Sequence, residues 1–184
     1  MTRAKIHPKL HPMIQQVRFV RAEFLRGVDG VTEAEALRRF EPMNTIGWIV
    51  GHLAVHEYRF WVQIAQGRTL ESGAAITAQV GPGQPATTPS LAEMQAAWHD
   101  ITAAADVYLN EVTTDALLGH LEWDGQPLKE NTGTRLYRTI YHYWYHIGEM
   151  QAIRQLLGHK NLPSFVGNMA EALYQPDFGN TALD

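Results

Sequence analysis

Two histidines and a glutamate stand among four aromatic rings in the stretch YHYWYHIGE, residues 141–149. His142 and His146 are four residues apart, and side chains at that spacing stand one above the other on a helix. Two neutral imidazoles so placed can grip one ion from a single turn. Imidazole suits zinc, nickel, iron and copper, whereas magnesium and calcium prefer oxygen. Two ligands from one helix need at least one more, and an earlier pair with the same spacing, His52 and His56, offers it through His52. Three protein ligands leave a position open for water or substrate, as catalytic rather than structural sites do.

The pair alone is a weak signal, because nine histidines in 184 residues make chance coincidences at this spacing easy. His56 reads as the bystander of its pair, on the rim of the fold or capping a hydrogen bond. His7, His11, His99, His120 and His159 fall near ends, loops or polar stretches and read as surface. Glu149 is placed to hydrogen-bond a ligating imidazole or to join an open site, and a solvated glutamate fits equally well. No conventional general base stands out; Glu149 and His56 are the weak candidates for catalytic work. Tyr141, Tyr143, Trp144 and Tyr145 read mainly as packing, with polar tips able to border a pocket.

Helical geometry relates these residues to the core. At about 100° per residue, His146 lies about 40° from His142 and Glu149 about −20°. The apolar stripe of Leu136, Ile140, Tyr143, Ile147 and Met150 is centred roughly 110° away on the same count. His52 and His56 stand in a similar relation to Ile46, Val50, Leu53 and Ile64. Both histidine faces therefore lie beside a core stripe, where two helices meet at a seam.

Four long amphipathic segments must supply those helices. The first runs from Leu10 to Val28, with Pro12 in its opening turn. Thr32 and Glu35 form a capping box for a short helix that stops before Pro42. Asn44 is the expected N-cap of the second long helix, which ends near Gly67. Residues 67–89 hold four glycines and three prolines and cannot be one regular element. Ser90 and Glu93 open the third long helix, and the fourth spans about Thr134 to Leu157 with Gly158 closing it. LEWDGQPL alternates around Asp124-Gly125, as a small hairpin before the fourth helix would. A shorter piece is expected around Ala170–Tyr174. The predicted fold is an all-α four-helix bundle, with the 67–89 crossover long enough for up-down-down-up order. If the second and fourth helices are antiparallel, a stagger is needed to bring His52 level with the later pair.

Charges also fall inside the stripes: Arg21 in the first helix, Glu57 in the second and Arg154 in the fourth. Unpaired burial would be costly, so Glu57 is expected to pair with Arg154 or Arg21. Positions at the stripe margins that snorkel to water are the other reading.

With 45% hydrophobic and 18% charged residues, the chain has a globular composition of single-domain size. A net charge of −4 gives no basic footprint for nucleic acid. Zero cysteines exclude disulfides, thiolate ligands and a cysteine nucleophile. The segment MTRAKIHPKLHPMIQQV has no signal-type apolar run, and no stretch reaches the ~18–20 apolar residues of a membrane helix. A cytoplasmic protein that does not bind membranes is the expectation.

NTIGWIVGHL, followed much later by HYWYHIGEMQAIRQLLG, resembles the DinB-like (DinB/YfiT) superfamily. Trp48 and His52 match its first element; His142, His146, Gly148 and Glu149 match its H-x-x-x-H-x-G-[QE] element. Glu149 stands where Gln is common. The resemblance covers about residues 8–158, and NLPSFVG looks like an extension found in some relatives. It implies one domain over 1–184, with the bundle at about 8–158 and an extension at 159–184. It also implies an up-down-down-up bundle holding a divalent metal (zinc, nickel or iron) on His52, His142 and His146. Relatives include thiol S-transferases using low-molecular-weight thiols, a thiol-dependent isomerase domain and domains of iron-dependent sulfoxide synthases, and many pair as homodimers. A metal-dependent transferase or hydrolase acting on a small molecule is the first functional expectation. The alternatives are a non-catalytic metal- or ligand-binding protein of a stress response, and a plain structural protein with incidental histidines.

Overall fold

Capping chemistry sets where the helices begin. The computed structural model describes residues 10–175, so His7 lies outside the described residues. Helix α1, Pro12–Val28, opens with His11 accepting from the Met13 N–H. Helix α2, Glu33–Ala36, carries the complete Thr32–Glu35 capping box. Helix α3, Ile46–Glu57, starts one residue later than expected: Thr45, not Asn44, accepts from the Trp48 N–H. It continues as a π-helical segment, Tyr58–Ile64. Helix α4 is Glu71–Val80, and α5, Leu91–Leu109, is capped by Ser90. Helix α6, Thr114–Leu118, precedes the expected hairpin of β1, Glu122–Trp123, and β2, Gln126–Pro127. Its turn residues Asp124 and Gly125 have φ of 51° and 71°, the left-handed pair that a tight two-residue hairpin requires. Helix α7, Thr132–Leu156, begins two residues earlier than predicted because Asn131 accepts from the Thr134 N–H. A 3-10 turn, Met169–Ala172, is the expected C-terminal piece; Gln16 Nε2 donates to the Ala172 carbonyl at 3.0 Å.

Side-chain partners fix the helix directions. Gly47 faces Pro89, Gly51 faces Met94 and Gln66 Nε2 donates to the Ala104 carbonyl, so α3 and α5 run parallel. Phe19 meets Trp144 and Gly27 meets Met150, so α1 and α7 are also parallel. His52 meets His142 whereas Trp61 reaches Thr139, which sets α3 against α7. Arg21 with Asp106 and Phe24 with Trp98 set α1 against α5. The order is up-down-down-up. The required stagger is present: the last turns of α7 pass the start of α3 and pack on the end of α1, where Arg154 Nη1 donates to the Gly27 carbonyl.

The crossover holds more structure than its glycines and prolines announce. Helix α4 has no side-chain N-cap and carries Gly73 in its first turns. Packing holds it: a Cβ on Gly73 would sit 2.5 Å from the Tyr58 ring, and Ile76 and Val80 are buried. A similar close approach lies at Gly47, where a Cβ would meet the Pro89 carbonyl oxygen at 2.4 Å. Alanine there should cost about 1–3 kcal/mol by forcing backbone apart, although a helix-interior alanine is worth about 1 kcal/mol more than glycine. Urea unfolding of Gly47→Ala checks this, and an unchanged or raised midpoint would show that the contact yields.

Of the two partners expected for Glu57, Arg21 is the one it has. Glu57 is fully buried and takes a two-pronged ion pair from Arg21, with Nε to Oε1 at 2.7 Å. Arg21 also reaches Asp106 on α5 at 2.6 Å. Tyr143 donates to Glu57 Oε1 at 2.7 Å and accepts from Trp98 Nε1 at 2.7 Å. Burial by itself would lower the Arg21 pKa, but the Glu57 carboxylate, together with Tyr143 and Asp106, more than offsets it and the pKa is raised. Burial, then Glu57, pushes the Tyr143 hydroxyl far up. Neither Arg21 nor Arg154 snorkels; both are buried. Arg154 Nε donates to His159 Nδ1 at 3.1 Å, and His159 Nε2 meets Glu35 Oε1 at 2.9 Å. His159 is thus a bridge between α7 and α2 and not the surface residue expected.

Candidate metal centre

The antiparallel α3–α7 seam brings three predicted histidines together. His52 Nε2 lies 3.2 Å from His142 Nε2, which lies 3.0 Å from His146 Nε2. One ring nitrogen from each residue falls within 4.8 Å of the other two. Ligands about 2.0–2.1 Å from a tetrahedral zinc stand about 3.3 Å apart, close to the two spacings made by His142 Nε2.

The donor chemistry agrees. His146 is buried, and its Nδ1 lies 2.8 Å from Glu149 Oε2. The carboxylate accepts the Nδ1 proton, which leaves Nε2 bare and aimed at the other rings. Burial, with help from His146, lowers the His52 pKa to about 4. Burial, then His146 and His52, lowers that of His142 to about 3. Both are neutral at pH 7, as ligation requires. Bare ring nitrogens facing one another at these distances cannot all be satisfied by each other's protons; a cation satisfies them together. Trp48 stacks on His52, with centroids 4.5 Å apart and planes at 13°, and fixes that ring's plane.

His56 lies outside this group of three. Its Nε2 lies 3.2 Å from Thr139 Oγ1, which also accepts from Trp61 Nε1 at 3.2 Å. The His56 pKa is well below the ordinary value, from burial first and then from His142 and His52. His11 caps α1, while His99 and His120 are exposed. The aromatics divide more sharply than the sequence indicates. Tyr143 is core and Trp144 half-buried, but Tyr141 and Tyr145 are 64% and 70% exposed, against the packing expected of them.

A pocket of about 450 Å³ opens beside the histidines, lined by His56 of α3 and by Thr134, Tyr137, Arg138, Tyr141 and His142 of α7. His142 belongs both to this wall and to the ligand set. Sequence reasoning missed Thr134, Tyr137 and Arg138; the positions of Thr134 and Arg138, eight and four residues before His142 on one face of α7, were the available signal.

Fold and site together define a helical-bundle protein whose three-histidine cluster is compatible with binding a divalent metal. Residues 16–150 match the DinB superfamily, and the chain belongs to it. No curated protein matches the chain.

Proposed function

We propose that this protein is a divalent-metal-dependent enzyme, a single domain over 1–184 that holds its ion with His52, His142 and His146. The observation that carries this reading is the double role of His142, a member of the three-nitrogen cluster and a wall of the 450 Å³ pocket. Three protein donors leave an open position, and here space for a small molecule adjoins it. A bound divalent ion supplies Lewis acidity, which lowers the pKa of a thiol or water and readies it to attack an electrophile. With no cysteine in the chain, a thiol must arrive as cosubstrate. Of the two catalytic candidates, His56 lines the pocket, while Glu149 is engaged on His146 and orients it. Cytoplasmic location, on the cysteine-free composition, and homodimer formation, on the family resemblance, belong to the same proposal.

The test uses untagged protein loaded with zinc, nickel or ferrous iron. It is assayed with a chlorinated nitroaromatic electrophile and a panel of low-molecular-weight thiols, and with an activated ester for hydrolysis. Metal-dependent turnover that His142→Ala abolishes is expected. Stoichiometric metal with no turnover on any of these would sink the enzyme reading in favour of a non-catalytic binding protein.

Glu149 offers a graded check. Removing an outer hydrogen-bond partner of a ligating histidine typically weakens metal affinity about 10–100-fold. Glu149→Ala should lose about that much, whereas Glu149→Gln keeps an acceptor for His146 Nδ1 and should lose less. Competition against a chromogenic chelator measures both.

A further inference from the structure

The pocket beside the histidines has a lining that discriminates among ligands. Tyr137 and Tyr141 lie one turn apart on α7 with rings stacked at 5.9 Å and 13°, yet they are 50% and 64% exposed. These are flat apolar faces that the fold leaves in solvent. Between them in sequence is Arg138, whose side chain is 55% exposed. Its Nε donates to Glu130 Oε2 at 3.0 Å and its Nη2 to Oε1, while Nη1 has no acceptor among the described residues. Glu130 is shared, because Arg135 Nη2 also reaches it at 3.1 Å. One carboxylate thus sits between two guanidiniums, and Arg59 adds its charge beside Arg135.

We infer that this pocket binds a planar, aromatic or conjugated small molecule carrying a single negative charge. The flat portion lies on the Tyr137–Tyr141 faces and the anion meets the free edge of Arg138. Stacking on tyrosine requires planarity, an uncommitted guanidinium edge requires an acceptor with negative charge, and a volume of about 450 Å³ suits a molecule of drug-like or smaller size. A cationic ligand is opposed by the surplus positive charge, and a neutral aliphatic one uses neither feature. Because His142 closes the pocket, such a molecule lies against the ligand set. The inference therefore rests on the metal-dependent reading for its meaning, though not for the binding itself.

Metal-free protein at pH 7 tests it, with 2-naphthoate as the planar anion, 2-naphthalenemethanol as the planar neutral control and cyclohexylacetate as the non-planar anion. Calorimetry gives the affinities, and NMR shifts of tyrosine rings and arginine side chains give the location. Naphthoate should bind about fivefold or more tightly than the neutral control, the value of one partly exposed charge contact, and by a similar factor over cyclohexylacetate, the value of one stacking contact. Its shifts should fall on Tyr137, Tyr141 and Arg138. Arg138→Gln should remove that advantage and leave 2-naphthalenemethanol unchanged. Arg138→Lys should restore part of the advantage, and Tyr141→Ala should weaken both aromatic probes. Equal binding of naphthoate and its neutral control, shifts elsewhere, or indifference to Arg138→Gln would overturn the proposal. Metal titration of the same sample separates the two readings. Naphthoate binding without metal binding would leave the pocket standing and the metalloenzyme reading fallen; metal binding without naphthoate binding would do the reverse.

Discussion

Substituting alanine for His142 is expected to weaken binding of a divalent transition metal by about 10²–10³-fold. An ion held at about 10–16 kcal/mol by four ligands gains roughly 2.5–4 kcal/mol from each, and about 1.4 kcal/mol is a factor of ten. His142 is also the middle ring of the cluster, 3.2 Å from one partner nitrogen and 3.0 Å from the other. Its loss leaves only two imidazoles, His52 and His146, on different helices with ring centroids 5.2 Å apart. The effect can be read as stability. At free metal about 100 times the dissociation constant, binding stabilises the folded protein by about 2.7 kcal/mol. For a chain of this length that raises the melting temperature by about 5–11 °C. At the same metal concentration the variant should gain at most about 0.4 kcal/mol, or roughly 1–2 °C. Thermal melts of both proteins with and without zinc decide the matter. A full metal-induced shift in His142→Ala would remove this residue from the ligand set.

The second large effect concerns the buried charges. Arg21→Met should cost about 3–5 kcal/mol, because it strands the fully buried Glu57 carboxylate with Tyr143 as its remaining donor. Glu57→Gln should cost a similar amount by leaving the Arg21 guanidinium short of countercharge. Asp106, with its side chain 31% exposed, is the acid still within reach of it. Against a total stability of about 5–15 kcal/mol, either loss is severe. The double variant Arg21→Met/Glu57→Gln removes both charges and keeps an acceptor for the Tyr143 hydroxyl, so it should be less destabilised than either single variant. Chemical denaturation of the three proteins completes the cycle; additive losses would refute a mutually dependent pair.

This pair also bears on the site. Glu57 follows His56 and Tyr143 follows His142, so the 2.7 Å hydrogen bond between them ties the rotation of α3 to that of α7. The histidine faces turn toward the seam because the next residue on each helix is anchored in the core.

Several features were invisible in the sequence for physical reasons. Helix α4 lacks a capping signal and carries a glycine, since its stability comes from Tyr58, Ile76 and Val80 rather than from local propensity. The exposed tyrosines look like core residues, because aromatic character does not say which way a ring faces. Arg154 and His159 read as independent groups, and only the approach of α7 to α2 makes them a bridge to Glu35. The choice between Arg21 and Arg154 as partner of Glu57 depended on helix neighbours that no local pattern encodes.

What the residues determined alone was periodic or local: the long helices, most of their caps, the Asp124-Gly125 turn, and the shared face of His142 and His146. These follow from 3.6-residue geometry and from short side chains bonding nearby backbone, so they need no distant partner. The tertiary structure decided the stagger of α7 on α3, the convergence of His52 with the later pair, the exclusion of His56 and the pocket that His142 closes. Each of these is a distance between segments far apart in sequence. Such distances are set by the packing of the whole bundle, and no one helix carries that information.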